Sequence, residues 1–130
     1  MFKWANKDQG SKLVTLYDSN ITLNKGASVH FNHAYSVMLG LDEVGNRLAI
    51  KPINKTDVER GDIPKEKLYR ISIRSSYSRV SNKTFMTDLG RWLKLDFEQQ
   101  KMFKFHCEWS ESDKSLIVDF NRPEEVKNGN

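Results

Sequence analysis

The sequence predicts an α+β protein, mostly β, in which two copies of a strand–strand–helix–hairpin unit are related by a pseudo-two-fold axis. Three observations predict it. Short apolar runs with period-two alternation are interrupted by Asp, Ser, Asn and Gly clusters, the pattern of strands and turns. The order of these runs between residues 12 and 53 recurs between 68 and 120. The dipeptide Asn24-Lys25 returns as Asn82-Lys83, 58 residues on, and that offset pairs Ala27 with Phe85, Phe31 with Leu89 and Ala34 with Trp92. Identity between the copies is low, so the repeat rests on element order and apolar phase.

Residues 1–11 form an N-terminal arm, polar except for Phe2, Trp4 and Ala5, which are expected to pack onto the domain. In the first repeat, 12–53, one strand carries Leu13-Val14-Thr15-Leu16-Tyr17, with Val14 and Leu16 on one side. Asp18-Ser19-Asn20 breaks it, and Ile21-Thr22-Leu23 follows. Asn24 is placed to cap a short helix, because its side-chain oxygen can accept a free first-turn amide. That helix is weak: it contains Gly26, and only Ala27, Phe31 and Ala34 mark an apolar stripe. A hairpin then alternates Tyr35, Val37, Leu39 and Leu41 inward, turns at 42–46, and returns through Leu48 and Ile50. Pro52 is expected to end the ladder, since it has no amide to donate.

The mixed charges, Gly61 and Pro64 of 54–67 read as a linker. The second repeat, 68–120, opens with Tyr69, Ile71 and Ile73 facing one way and Arg70, Ser72 and Arg74 the other. After the strand 78–81, Asn82 caps a helix over 82–95 whose Phe85, Met86, Leu89, Trp92 and Leu93 share a face. Gly90 inside it costs ~1 kcal/mol relative to Ala. The second hairpin alternates Phe103, Phe105, Cys107 and Trp109 against Lys104, His106 and Glu108, then returns through Leu116, Val118 and Phe120. Residues 121–130 read as a flexible polar tail.

At 130 residues and 38% apolar the chain is one domain, or two small modules sharing a core. The single cysteine excludes an internal disulfide framework and suits a reducing compartment. The N-terminal residues lack a signal-peptide core and no apolar run reaches membrane-spanning length, so the expectation is a cytoplasmic protein with no membrane partner. In that compartment the acceptor patterns at Asn54 and Asn82 carry no meaning.

The runs KLVTLYDSNITLNK…MLGLDEVGNRLAIKPI and YRISIRSSYSRVSNKTFMTDLGRWLKL…KMFKFHCEW…SLIVDF resemble the swapped-hairpin unit of AbrB-like and MraZ-like transcription regulators. The resemblance is to an arrangement of elements covering most of residues 12–120. It looks like the arrangement with two copies in one chain, giving a swapped-hairpin AbrB-like barrel. It implies binding of double-stranded DNA through basic residues near the second strand and the helix start. In the second copy these are Arg79, with Arg74, Lys83 and Arg91 nearby, and the charge run adds Arg70; in the first copy only Lys25 lies near the helix start. Asn20 stands where the family's arginine would open the second strand of the first copy, and neither copy has the proline common before the family's helix.

The net charge of +4 is modest, but no acid interrupts residues 70–83. The same pattern also describes an ordinary solvated strand face. His30 and His33 with His106-Cys107 imitate a zinc set, yet their spacing fits no metal pattern, and no metal is expected. The chain contains no nucleophile-elbow, dinucleotide-fingerprint or P-loop motif, so no catalytic residue, cofactor or enzyme activity is expected. The aromatic residues of the second hairpin have core phase before they have the look of a base-stacking platform. The leading expectation is a small DNA-binding transcription regulator acting through the second repeat. The competing one is a protein-interaction module of the same fold, antitoxin-like or phage-associated, with a homo-oligomer or another protein as partner. Clustering of Arg70, Arg74, Arg79 and Lys83 on one exposed surface separates the two.

Overall fold

The structure is a computed structural model that describes residues 1–2 and 11–124. Its first half contains β1 (Leu13–Leu16), β2 (Asn20–Leu23), α1 (Lys25–Ser28), β3 (Ser36–Asp42) and β4 (Arg47–Ile53). A short α2 (Lys55–Glu59) follows. The second half contains β5 (Tyr69–Arg70), β6 (Ser72–Ile73), β7 (Ser78–Ser81), α3 (Lys83–Leu93), β8 (Phe103–Ser110) and β9 (Ser115–Pro123). The fold is α+β and mostly β. Among the described residues no helix is long and apolar enough to cross a membrane.

All strands join one antiparallel sheet in the order β5-β3-β4-β9-β8-β1-β2-β7-β6. The two edge strands, β5 and β6, are consecutive in the chain with Ile71 between them. The sheet edges therefore nearly meet, and the result is an almost closed barrel with few unpaired edge groups. The strand expected over 69–74 is thus split: Arg70 pairs with Ser36 of β3, whereas Ser72 pairs with Arg79 of β7. One continuous strand cannot serve both neighbours unless it bends where the barrel closes.

The pairing also exchanges elements between the halves. The hairpin β3–β4 lies beside β5 of the second half, and the hairpin β8–β9 beside β1 of the first. At one side of the barrel β2 meets β7, with Thr22 opposite Arg79. On the far side β4 meets β9, with Ala49 opposite Ile117. The pairings are related by an approximate two-fold axis through these two positions. Thr22 and Arg79 are 57 residues apart, one fewer than the two helix caps. The extra residue is Ser81, which separates the buried Val80 from Asn82, whereas buried Leu23 runs directly into Asn24. By this register the counterpart of Arg79 is Thr22, not Asn20.

Inward strand positions fill the barrel. Val14, Leu16, Ile21, Leu23, Leu48, Ile50, Leu116 and Val118 are completely buried, and Phe31 and Met86 seal the core from the helices. The inward phase expected for β3 fails at its ends, where Tyr35 and Leu41 are exposed and Ser36 is buried beside Val37. Pro52 does not stop β4. It pairs with Val37, and the strand runs on to Ile53. β9 contacts only Arg47 to Ile50, so Pro52 sits where β4 has become one-sided and a missing donor is tolerated.

Each α-helix is opened by an Asn-Lys dipeptide. Asn24, Asn54 and Asn82 accept the amides of Ala27, Asp57 and Phe85 at 3.0, 2.8 and 2.8 Å. The linker reading of 54–67 therefore missed α2, whose cap was visible in the sequence but whose five residues carry no apolar stripe. α1 is only four residues and tightens into a 3-10 turn, Val29–Phe31, as the glycine led one to expect. α3 carries its whole apolar stripe but ends at Leu93, two residues short of the expected 82–95. Lys94 adopts a left-handed conformation (φ 57°), and the Leu95 amide returns to the Gly90 carbonyl at 2.8 Å. Gly90 has a packing reason, since a Cβ there would stand 3.2 Å from the ring of Phe97.

Two further expectations need correction. Trp92 is only half-buried, edge-on to Phe120 at 6.0 Å, rather than central to the core. The polar tail does not begin at Asn121, because β9 continues to Pro123 opposite Phe105 and the Glu124 amide reaches the Lys104 carbonyl at 2.8 Å. Backbone pairing with the start of β8 holds residues whose side chains give no strand signal. Of the apolar residues in the N-terminal arm, Phe2 is largely exposed, and Trp4 and Ala5 lie outside the described residues, as do positions 125–130.

Candidate nucleic-acid interface

The same alternation that buries Val80 and Ser78 sends Arg79 outward, and the register carries that outward row across five strands. Ser72 stands opposite Arg79, Arg79 opposite Thr22, Thr22 opposite Thr15, and Thr15 opposite Lys104. Four strand spacings make this row about 19 Å long. Its middle is hydroxyl-rich, and cations stand toward both ends.

Arg79 is held rather than loose. Its Nε–H points to the Thr22 hydroxyl at 3.4 Å, and that hydroxyl donates to the Asn20 side chain at 2.7 Å. The guanidinium also lies 5.2 Å from the ring centre of Tyr77. Tyr77 is positioned by the β6–β7 turn, where the Arg74 amide donates to the Tyr77 carbonyl at 2.9 Å. Arg70 and Arg74 have the same outward phase as Ser72, and both are exposed. Among the described residues none of Arg70, Arg74, Arg79 and Lys104 has a carboxylate within 4 Å.

The other candidates divide. Lys83 opens α3 beside this face but is held by Asp18 at 3.1 Å, an exposed pair of small energetic weight. Arg91 lies about 12 Å further along α3 and faces Asp88 at 3.9 Å. Lys25 opens the counterpart helix of the first half and is exposed. The structure therefore brings Arg70, Arg74 and Arg79 together, leaves Lys83 at the margin, and places Arg91 and Lys25 apart. Lys104 was not among the candidates. Its outward phase opposite Phe103 and Phe105 was readable, but its place in the row depends on β8 pairing with β1, some ninety residues earlier in the chain.

The aromatic residues of β8 are engaged within the protein. Phe103 meets Phe97, Phe105 meets Phe120, and Trp109 stacks flat on His30 with centroids 4.4 Å apart. His30 Nε2 is enclosed there without a hydrogen-bond partner among the described residues, and burial followed by the charge of Lys12 lowers its pKa. His106 instead pairs with Glu124 at 2.6 Å. Cys107 is buried, which pushes its thiol up to about 12, the signature of an inert core cysteine. Among the described residues no three His, Cys, Asp or Glu side chains converge as metal ligands would.

On the far side of the barrel, the outward row Gly40, Ala49, Ile117 and Glu108 floors two adjoining hollows of about 360 and 210 Å³. Arg47, Asp113 and Ile117 line both. Compared with protein-family models, curated proteins and solved structures, the chain matches none of them.

Proposed function

We propose that this protein binds double-stranded DNA through the outer face of β6, β7 and β2, as a small transcription regulator of the swapped-hairpin, AbrB-like or MraZ-like type. The observation that carries this reading is the trio Arg70, Arg74 and Arg79. Arg70 at the end of β5, Arg74 just after β6 and Arg79 on β7 are all exposed, with Ser72 and Thr22 flanking Arg79 and no acid within ion-pair distance among the described residues. Such a face matches a phosphate backbone, which takes bonds from arginine and hydroxyls alike. Exchange of hairpins between the two halves supports the family reading, with residues 12–53 and 68–120 as the two copies. A free, buried thiol suits work in the cytoplasm.

The acting residues in this proposal are Arg70, Arg74, Arg79 and Lys104, with Lys83 assisting once Asp18 releases it. Each cation that meets a phosphate contributes about 0.9 to the salt slope of binding to B-form DNA. Titration of a labelled mixed-sequence duplex at several salt concentrations tests the reading. Arg74→Ala with Arg79→Ala should weaken binding and reduce the slope by roughly two, while Lys25→Ala should change it by much less. Absence of salt-dependent binding by the wild-type protein at low ionic strength would remove this function.

A further inference from the structure

We infer that the face around Ala49 and Ile117 is a docking surface for the Arg79 face of a second copy, so that molecules associate head to tail along their approximate two-fold axes. Two observations carry it. The faces lie at opposite ends of one axis, because β4–β9 and β2–β7 are the two junctions where the halves meet like element to like element. Their charges are also complementary.

The Ala49 face has a small apolar centre, Gly40, Ala49 and Ile117, bordered by Leu41, which is 45% exposed. The charged residues lining the two hollows are Asp42, Asp113, Asp119 and Glu108, with Arg47 and Arg122. Both guanidiniums are already occupied: Arg47 binds Asp42 at 2.8 Å and Arg122 lies 3.5 Å from Glu108. Asp113 and Asp119 accept only local hydrogen bonds, from the Ser110 hydroxyl and the Asn121 amide, and have no cation within ion-pair distance among the described residues. The opposite face offers the reverse: Arg70, Arg74, Arg79 and Lys104 have no carboxylate within ion-pair distance among the described residues, and the carboxylates beside them are engaged, Asp18 by Lys83 and Glu124 by His106. Placing one face on the other sets Asp113 and Asp119 of one molecule among arginines of the next. It also covers Ala49 and Ile117 with the Thr22 methyl and the aliphatic stem of Arg79. Two copies of the acidic face would repel one another, so a closed two-fold dimer through that face is disfavoured. A heterologous contact of this kind extends instead of closing.

The experiment measures mass by sedimentation over a concentration series, without DNA, at about 0.01 M and about 1 M salt, where the screening lengths are ~30 and ~3 Å. Wild type should grow past dimer with concentration at low salt and remain monomeric at high salt. Two variants separate the faces. Asp113→Asn with Asp119→Asn neutralises the acidic face while leaving an oxygen for the Asn121 amide, and Arg74→Gln with Arg79→Gln neutralises the cationic face, so that neither variant gains a charge complementary to the other's altered face. Each variant alone should be monomeric, and an equimolar mixture should form a dimer that does not grow, since each partner retains one intact face. Formation of that dimer also shows that both variants are folded. Circular dichroism matching wild type keeps a negative mixture decisive. A monomeric wild type at low salt, a variant that still associates, or folded variants that fail to pair would each overturn the inference. None of these outcomes depends on whether DNA is bound.

Discussion

Where the approximate two-fold axis leaves the barrel at Thr22 and Arg79, it emerges among hydroxyls and arginines. Where it leaves at Ala49 and Ile117, it emerges among small apolar side chains ringed by carboxylates. Beneath both ends the inward residues are alike: Ile21, Leu23 and Val80 under the first, Leu48, Ile50, Leu116 and Val118 under the second, all essentially without solvent contact. Period-two alternation explains the division. Inward positions answer to the fold and must be apolar at both ends. Outward positions answer to solvent or a partner, and there the two ends of the barrel differ.

The largest expected effects test the shared part of this comparison. Ile21→Ala and Leu116→Ala each remove a fully buried aliphatic side chain from opposite ends of one core, and each should cost about 3 kcal/mol in denaturant unfolding. The transitions should remain single and cooperative. A loss well under 1 kcal/mol at one site only would mean that the two ends do not share a core. Next comes Trp92→Ala. Full burial would set its cost at ~3–5 kcal/mol, but a half-buried ring that meets Phe120 edge-on should lose about 2 kcal/mol. Its counterpart in the first half is Ala34, too small to cover the barrel in the same way, so α3 shields more core than α1.

Much of this frame was legible in the residues. The inward phase of β1, β2, β7 and β8, the caps at Asn24 and Asn82, and the stripe of α3 all follow from local patterns. What was not legible depends on partners distant in sequence. Nothing near Ile71 announces that the strand changes neighbours there, because the cause is barrel closure between β3 and β7. Nothing near Asn121 announces three more residues of β9, because the backbone of β8 holds them. The site divides in the same way. Outward phases of Arg70, Arg74 and Arg79 were local, whereas the row linking Arg79 to Lys104 needed the register of five strands. The flat stack of His30 on Trp109 joins residues on α1's 3-10 extension and β8, and no spacing rule predicts it.

A smaller effect separates the two faces in DNA binding. Arg79→Ala removes one phosphate contact in the proposed interface, and at fixed physiological salt it should lower duplex affinity about ten-fold. Asp113→Asn acts from the far side, across roughly 10 Å of apolar barrel and beyond the ~8 Å screening length of physiological salt, so it should change affinity less than two-fold. Equal effects of the two substitutions in the same titration would show that only net charge matters and that the Arg79 face has no special role.

The smallest expected effect concerns pH, which should act on one side of the molecule and spare the other. The cationic face is carried by Arg70, Arg74 and Arg79 and involves no histidine among them. His30 stacks on Trp109, which lines the acidic hollow, and the charged groups acting on it are Lys12, just before β1, and Glu111 from the β8–β9 turn. Burial, then Lys12, lowers the His30 pKa below its ordinary 6.5, against the opposing pull of Glu111. The folded protein therefore takes up this proton less readily than the unfolded chain. Stability from this group is intact above pH 6.5 and declines as pH falls below that value toward the lower folded-state pKa. His30→Phe keeps a flat ring against Trp109, removes the enclosed nitrogen that has no partner among the described residues, and removes the proton. His33 and His106 are present in both proteins, so the difference between them isolates His30. Urea midpoints measured from pH 7.5 to 5.5 should show the variant's advantage growing on acidification. A difference that stays constant across this range would mean that His30 takes up its proton as easily folded as unfolded, and that the stack on Trp109 is not the enclosed environment it resembles.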